Sequence, residues 1–248
     1  MRSPAIRLDA LCIWRGKSAK AKPVLSALSL NVERGERVAL IGANGAGKTS
    51  LLLALLGAVP YDGSIEIDGE LQGRDNLSRL RQKLGFVFSD PQDQLFLPTV
   101  REEVAFGPVQ RGVQGPELEA RVNDALACVK LAGFEQRPPS ELSLGEQRRL
   151  AIASVLSCRP PILLLDEPTA SLDPRARRRM LETLADLDAT ILCATHDLDA
   201  ALDLEARVIV LAAGKIVADG HAERVLRDAA LLDEAELELP LCLGRRAL

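Results

Sequence analysis

The sequence predicts an α/β fold in a single domain. Apolar segments of strand length occur at Arg37–Ile41, 162–165, Thr190–Ala194 and 208–211, and helical patterns separate them. A glycine-rich segment, 42–49, joins the first of these strands to a Leu-rich stretch of helical length. The 248 residues favour one large domain, or one domain that carries an insertion.

Each further element of this prediction has a local signal. The strand at Arg37–Ile41 ends at a glycine, and the helix predicted at 49–58 is stopped by a glycine and a proline. Alternation of apolar and polar residues predicts a strand at 64–68 that leads into a turn. A strand is also predicted at 84–88.

The segment 89–157 breaks this rhythm and is predicted to be a helical insertion. Prolines punctuate its first part, and 117–131 has the apolar spacing of a helix. The insertion divides a single domain, 1–248, whose core is formed by 1–88 and 158–248.

The composition excludes several classes of protein. A net charge of −4 argues against a surface built for the nucleic-acid backbone, and 3% aromatic residues are too few for a base-stacking platform. The five cysteines are scattered singly, so neither a zinc site nor a disulfide framework is expected. No apolar run reaches the roughly 20 residues of a membrane span, and no leader pattern is seen. We therefore expect a cytosolic protein that binds no nucleic acid.

The glycine-rich segment matches the phosphate-loop pattern G-x-x-x-x-G-K-[ST] and lies between a predicted strand and a predicted helix. Its backbone N–H groups can converge on phosphate oxygens, Lys48 can reach the β- and γ-phosphates, and Thr49 can bind Mg²⁺. A plain glycine-rich turn is the alternative. The residues predicted to bind nucleotide here are Gly42, Asn44, Gly45, Ala46, Gly47, Lys48, Thr49 and Ser50.

Two adjacent carboxylates, Asp166 and Glu167, follow the apolar strand at 162–165. Ligands of open α/β sheets bind at the carboxyl ends of the strands. Because successive side chains of a strand point in different directions, one carboxylate can serve Mg²⁺ while the other faces the attacking water. We predict Asp166 as the metal partner and Glu167 as the general base.

Ser143 and Glu146 form the pattern Ser-x-x-Glu before an apolar helical run, which predicts a capping box at a helix start. The Ser143 hydroxyl and the free amides near Gly145 can bind an anion. Taken alone, the pattern is equally that of a plain helix start.

Together these motifs, in this order and with Ser171-Leu172-Asp173 and Thr195-His196-Asp197, resemble the nucleotide-binding subunit of an ABC transporter. The resemblance implies a RecA-like phosphate-loop core, an antiparallel β subdomain near the amino end and an inserted α-helical subdomain. It also implies that two subunits pair head to tail. ATP then lies between the phosphate loop of one subunit and Ser143, Gly145 and Glu146 of the other.

The resemblance assigns roles to further residues. Lys48, Glu167 and His196 are the expected catalytic residues, with His196 at the γ-phosphate, and Asp173 communicates across the dimer. Trp14 is expected to stack on adenine. His196 could instead be an ordinary hydrogen-bonded histidine, and Trp14 a packing residue.

A narrower resemblance is carried by Phe86-Val-Phe-Ser-Asp90-Pro-Gln-Asp-Gln-Leu-Phe96, by Val104-Ala-Phe-Gly-Pro108 and by Leu237-Glu-Leu-Pro240. These segments are similar to ATPases of energy-coupling-factor importers for cobalt, nickel or vitamins. A subunit of this kind works with ATP and Mg²⁺ at the cytoplasmic face of the cell membrane, as a peripheral protein. Its partners are a second ATPase subunit, a transmembrane coupling protein and a substrate-binding membrane component.

The apolar anchors expected at the membrane partner are Leu95, Phe96 and Leu97. Any of these three side chains could instead close the chain's own core.

The sequence departs from the ABC pattern at two places. Ser89 stands where a glutamine usually contacts Mg²⁺ and water, and its shorter side chain would need a bridging water. Either hydrolysis is weaker for this reason, or Gln92 or Gln94 takes over the role. The signature reads Leu-Ser-Leu-Gly-Glu rather than Leu-Ser-Gly-Gly-Gln. Leu144, which stands in place of the first glycine, still offers a backbone N–H as glycine would.

Two other functions are weighed against transport. A soluble ABC-type ATPase of the iron–sulfur assembly kind would carry the same motifs. A phosphate-loop kinase or GTPase would leave 142–149 and His196 unexplained, and the sequence has no Asn-Lys-x-Asp guanine motif.

Overall fold

The computed structural model describes residues 3–14 and 23–244. The strands are β1 (Ile6–Trp14), β2 (Pro23–Val32), β3 (Arg37–Ile41), β4 (Asp62–Ile67), β5 (Glu70–Leu71), β6 (Leu84–Val87), β7 (Ile162–Asp166), β8 (Thr190–Ala194), β9 (Arg207–Ala212) and β10 (Lys215–His221). The helices are α1 (Lys48–Leu55), α2 (Leu77–Lys83), α3 (Val100–Gln110), α4 (Gly115–Cys128), α5 (Leu144–Leu156), α6 (Pro174–Ala185), α7 (Leu198–Asp203), α8 (Ala222–Val225), α9 (Ala229–Glu234) and α10 (Leu241–Gly244).

The described strands form two sheets. The larger has the order β10-β9-β3-β8-β7-β6, in which β10 is antiparallel to β9 and the remaining neighbours are parallel. The smaller is antiparallel, with the order β2-β1-β4-β5. Because β3, β6, β7 and β8 run in parallel, their carboxyl ends lie at one edge of the larger sheet, where ligands of open α/β sheets bind.

The apolar core lies on both faces of the larger sheet. Alternate residues of one strand serve different faces: Val38 and Leu40 pack with α1 and the smaller sheet, whereas Ala39 and Ile41 pack with the helices. A strand buried on both faces must be apolar throughout, which explains the continuous apolar runs of the parallel strands.

Between β6 and β7 lie the helices α3, α4 and α5, which pack on one another. The predicted fold class, an α/β core with an antiparallel β subdomain and a helical insertion, is therefore confirmed. The division at residues 88/89 and 157/158 stays a prediction.

The insertion differs from the prediction in one respect. Pro108 lies inside α3, although the sequence suggested that prolines separate segments there. A proline in the last turn of a helix loses one N–H bond, and main-chain bonds from Arg111 and Val113 back to Pro108 O close this turn.

Candidate functional site

The phosphate loop follows β3 directly and ends where α1 begins, at Lys48. Gly47 precedes the helix in the left-handed conformation, with φ of 104°, and a Cβ on it would lie 2.6 Å from Leu25 Cδ2. A Cβ on Gly42 would lie 2.4 Å from the carbonyl oxygen of Leu211. The backbone path of this loop therefore requires glycine at both positions, and it directs the positive end of α1 into the site.

Lys48 is buried within this loop, where its Nζ donates to Gly42 O at 2.7 Å and to Ala43 O at 3.4 Å. Burial lowers the pKa of Lys48, and the negative charges of Glu167 and Asp166 act in the opposite direction. Oxygens of a phosphate can replace these carbonyl oxygens, and a charge-assisted bond to phosphate is the stronger one.

Thr49, from the first turn of α1, meets Asp166 at the end of β7. The Thr49 hydroxyl donates to the carboxylate, with Oγ1 3.1 Å from Oδ1 and 3.0 Å from Oδ2. Burial raises the pKa of Asp166, and the nearby charge of Glu167 raises it further, against the effects of Thr49 and Lys48. A hydroxyl and a carboxylate oxygen are ligands that Mg²⁺ prefers, so these two residues fit such an ion.

Glu167 lies next to Asp166 but faces a different neighbour. Its Oε2 is 2.8 Å from His196 Nδ1 and accepts the His196 backbone N–H at 3.2 Å. His196 follows β8, the strand next to β7, and its side chain is 61% exposed, whereas that of Glu167 is 17% exposed. A carboxylate that a histidine orients in this way can act as a general base toward a water. That role of Glu167 stays a prediction.

Most of the predicted nucleotide residues line one cavity of about 280 Å³. They are Asn44, Gly45, Ala46, Gly47, Lys48, Thr49, Ser50, Ser89, Asp166 and Glu167.

The predicted residues Ser143, Gly145 and Glu146 line a different cavity, of about 190 Å³, together with Asp173. Ser143 caps α5 and the capping box is present: Ser143 N donates to Glu146 Oε2 at 2.8 Å and Glu146 N donates to Ser143 Oγ at 3.4 Å. The Ser143 hydroxyl also bonds to Glu146 Oε2 at 2.7 Å, and these bonds lower the pKa of Glu146. To bind a phosphate, the Ser143 hydroxyl must donate its hydrogen bond to the ligand instead of to Glu146 Oε2.

Trp14 ends β1 and pairs with Pro23 across the smaller sheet. Pro23 and Val24 line a cavity with Asn44 and Gly45, which places the end of β1 on the phosphate-loop side of the sheet. Trp14 is 37% exposed. The stacking role of Trp14 stays a prediction.

Because Trp14 is the only tryptophan, its fluorescence reports on this position alone. We expect addition of Mg-ATP to change the intensity or wavelength of its emission, since stacking on adenine replaces water at the indole face. A spectrum unchanged at saturating Mg-ATP would exclude adenine stacking at Trp14.

Neither candidate replacement for Ser89 lines the nucleotide cavity. The Gln94 amide donates to Ala151 O at 2.7 Å and to Ser154 Oγ at 3.0 Å, and its Oε1 accepts from Phe88 N at 3.2 Å. Gln94 therefore holds the segment after β6 against α5. Gln92 is exposed, and its backbone N–H bonds to Asp90.

We expect Ser89→Gln to raise the rate of ATP hydrolysis up to about tenfold, because the longer side chain can orient the attacking water directly. The measurement is steady-state phosphate release under saturating Mg-ATP. An unchanged or lower rate would show that a serine at this position does not limit hydrolysis.

One network was missed by the sequence analysis. Arg177 of α6 makes a bidentate ion pair with Asp197, with Nε 2.6 Å from Oδ2 and Nη2 2.9 Å from Oδ1. Thr169 and the N–H of Ala200 also donate to Asp197. The network joins the helix after Asp173 to the segment that carries His196. Only the position of Asp197 beside His196 was a signal in the sequence.

This ion pair predicts a pH-dependent contribution to stability. Burial would raise the pKa of Asp197, but the hydrogen bonds and charge of Arg177 outweigh it and leave the pKa below its ordinary value. The contribution is therefore present above the ordinary pKa of an aspartate and is lost as the pH falls through the lowered pKa of Asp197.

We expect Arg177→Met to reduce the free energy of unfolding at neutral pH by about 1–3 kcal/mol. Urea unfolding at a series of pH values measures it, with the exposed neighbour variant Arg178→Met as control. A deficit that stays constant below the pKa of Asp197 would contradict the assignment.

The phosphate loop, the buried lysine and the paired carboxylates at the sheet edge define a P-loop ATP-binding enzyme. A family model described as ABC transporter matches residues 25–170, more than half of the chain. The chain belongs to the ABC transporter family, and it is an ATPase that provides the ATP-hydrolysing part of a transporter.

Relatives of known sequence agree. An ABC transporter ATP-binding protein of Streptomyces avermitilis is 50% identical over 217 residues, which cover 87% of this chain and 83% of that protein. The energy-coupling factor transporter ATP-binding protein EcfA of Methanothermobacter thermautotrophicus is 45% identical over 224 residues, covering 88% of this chain and 72% of that protein.

Solved structures show the same fold. The structure of cbiO1 from Clostridium perfringens, part of the ABC transporter complex cbiONQ, superposes with a TM-score of 0.83 at 31% identity and covers 98% of both chains. The ATP-binding cassette MJ0796, in a dimeric post-hydrolysis state with ADP and Pi, superposes with a TM-score of 0.78 at 28% identity, covering 88% of this chain and 98% of that chain. The predicted ABC ATPase fold is confirmed.

Proposed function

We propose that this chain is the ATPase subunit of an energy-coupling-factor importer, which drives uptake of a transition-metal ion, cobalt or nickel, or of a vitamin. The proposal is supported by EcfA, which is named as an energy-coupling factor transporter ATP-binding protein, and by cbiO1, which is part of the ABC transporter complex cbiONQ. The observation that carries it is the 45% identity to EcfA over 88% of this chain. Two separate cavities, one at the phosphate loop and one at Ser143, fit the head-to-tail pairing of two ATPase subunits.

At the first cavity, we assign ATP binding to the phosphate loop. Lys48 contacts the β- and γ-phosphates. Thr49 and Asp166 would hold Mg²⁺, which would neutralise phosphate charge. Glu167 accepts a proton from the attacking water, and His196 fixes the Glu167 carboxylate and contacts the γ-phosphate.

At the second cavity, Ser143 and the N–H of Gly145 bind the γ-phosphate of an ATP held by a second subunit. That second subunit is a further copy of this chain or a sister ATPase. Because each complete site needs two chains, hydrolysis per chain should fall steeply as the protein is diluted to isolated monomers. Undiminished phosphate release from monomers would overturn the two-chain site.

The membrane partner is assigned to a docking surface formed by Phe96, Phe106 and Val109. The Phe96 side chain is 66% exposed, and its ring packs edge-on against Phe106 at a centroid distance of 5.3 Å. Val109 lies one helical turn after Phe106 and is also exposed. An exposed group of large apolar side chains is typical of an interaction site, and aromatic residues often dominate its energy.

Two of the three predicted anchors contribute less to this surface. Leu95 packs partly against the core, and Leu97 is half-buried. Among the described residues, no helix is long and apolar enough to cross a membrane. We place the chain at the cytoplasmic face of the membrane, where a transmembrane coupling protein with its substrate-binding component would hold it.

The test is co-expression with the transmembrane coupling protein of an energy-coupling-factor importer from the same genome. We expect the chain to move to the membrane fraction, and Phe96→Ser with Phe106→Ser to return it to the supernatant. Leu71→Ser, at an exposed leucine of the smaller sheet, is the matched control and should leave the chain in the membrane fraction.

Reconstituted vesicles that contain the whole complex should then accumulate radiolabelled cobalt, nickel or vitamin only with ATP. Association with soluble partners alone would favour the iron–sulfur assembly class and overturn the transport proposal.

A further inference from the structure

Arg148 lies in α5, five residues after the helix cap Ser143, and it is buried, with 7% of its surface exposed. Its Nη1 donates to the backbone carbonyl oxygen of Glu167 at 2.7 Å. Its Nε is also buried, and none of the residues that the structure describes accepts a hydrogen bond from it. Burying a guanidinium is costly, so a position of this kind calls for a compensating role.

The Glu167 backbone is the part of the site that most needs such support. Its φ is 50°, the left-handed conformation that residues other than glycine seldom adopt. The N–H of Glu167 donates to Ala194 O at 2.8 Å, and its carbonyl oxygen accepts the N–H of Ala170 at 3.2 Å as well as Arg148. Strained backbone of this kind persists only where its surroundings hold it.

The charges around Arg148 come from two segments of the site. Burial lowers the pKa of Arg148, while the carboxylates of Asp90 and Glu167 favour its charged form. Asp90 follows Ser89 in the segment after β6, where its side chain caps the short 3₁₀ turn Pro91–Asp93. Arg148 therefore lies among the Ser143 helix, the Ser89 segment and Glu167.

We propose that Arg148 is a positioning residue for hydrolysis, which holds the main chain of Glu167 so that its carboxylate meets the attacking water. Because Arg148 belongs to the helix that begins at Ser143, it also connects the site of one nucleotide to the helix that contacts the other. The inference rests on the proposed role of Glu167 as the general base.

The test compares Arg148→Met, which removes the donors and keeps much of the side-chain length, with Arg148→Lys, which keeps one charged donor. We expect Arg148→Met to lower kcat about 10- to 100-fold while KM for ATP stays nearly unchanged. Arg148→Lys should recover part of the loss. Arg111→Met removes an arginine that donates to another backbone carbonyl, that of Cys158, and should leave kcat unchanged.

A double-variant comparison separates positioning from a general structural effect. In a Glu167→Gln background, measured by single-turnover hydrolysis, Arg148→Met should cause no further loss, because it acts through Glu167. An equal loss of hydrolysis rate in both backgrounds would overturn the proposal. So would a rate that falls in step with the melting temperature in both Arg148→Met and Arg148→Lys, because the loss would then be one of general stability.

Failure of this inference is distinguishable from failure of the proposed function. A normal rate in Arg148→Met beside a strongly reduced rate in Glu167→Gln removes only the role of Arg148. A normal rate in Glu167→Gln removes the general base itself and with it the basis for a positioning role.

Discussion

Glu167→Gln should leave ATP binding nearly intact while hydrolysis falls by about 10²-fold or more. Glutamine has the same shape as glutamate, and its amide can still meet His196 Nδ1, which lies 2.8 Å from the Glu167 carboxylate. It cannot accept a proton from water at neutral pH. The change therefore removes the base and leaves the phosphate loop and the Thr49–Asp166 pair in place. Nucleotide affinity and single-turnover phosphate release, measured on the same preparation, separate the two effects.

A matched control exists for the backbone of this variant. Glu205 is also a glutamate in the left-handed conformation, with φ of 49°, and it is exposed outside the site. Glu205→Gln should bind and hydrolyse ATP like the unchanged chain. If Glu167→Gln hydrolysed ATP at the same rate as Glu205→Gln, the general base would have to be another residue.

The elements that the sequence predicts well are those whose signal is local. Thr190–Ala194 has the predicted bounds because five consecutive residues are buried on both faces of the sheet. The first helix, predicted at 49–58, runs instead from Lys48 to Leu55, and Gly57, with φ of 63°, stands in the turn that follows. The capping box was also predictable, because Ser143 and Glu146, which form it, are only three residues apart in the sequence.

What the sequence did not show depends on contacts between distant residues. The bond from Arg148 to Glu167 O joins α5 to the end of β7, and nothing local marks Arg148 as different from Arg149 beside it. Arg177 likewise meets Asp197 only because α6 and the segment after β8 are brought together by the sheet. Pattern and spacing identify residue types for the chemistry, but tertiary structure decides which residues hold them in place.

The same dependence on tertiary structure decides the choice between Gln92 and Gln94. Both glutamines were candidates to replace the role lost at Ser89, and their positions in the sequence do not separate them. In the structure the Gln94 amide donates hydrogen bonds to Ala151 O and Ser154 Oγ, and Gln92 is exposed outside the nucleotide cavity. With both glutamines outside the cavity, a water bound by Ser89 would have to bridge to the nucleotide. The Ser89→Gln variant tests this arrangement.

Lys48→Ala should abolish tight binding of ATP. The cavity that holds Lys48 also holds Asp166 and Glu167, so removal of the ammonium leaves two carboxylates facing a polyphosphate anion. The loss of a charge-assisted hydrogen bond alone weakens binding by about 10- to 100-fold, and the remaining repulsion adds to this. Isothermal titration with Mg-ATP measures the affinity.

Thermal unfolding gives an independent measurement for the same variant, because a ligand that binds the folded state raises the melting temperature of the protein. Burial of Lys48 lowers its pKa, which means that burial disfavours its charged form in the ligand-free chain. Lys48→Ala should fold, yet show no rise in melting temperature with Mg-ATP. Lys215→Ala, at an exposed lysine of β10, should keep the full rise. An equal rise in both variants would show that Lys48 does not contribute to nucleotide binding.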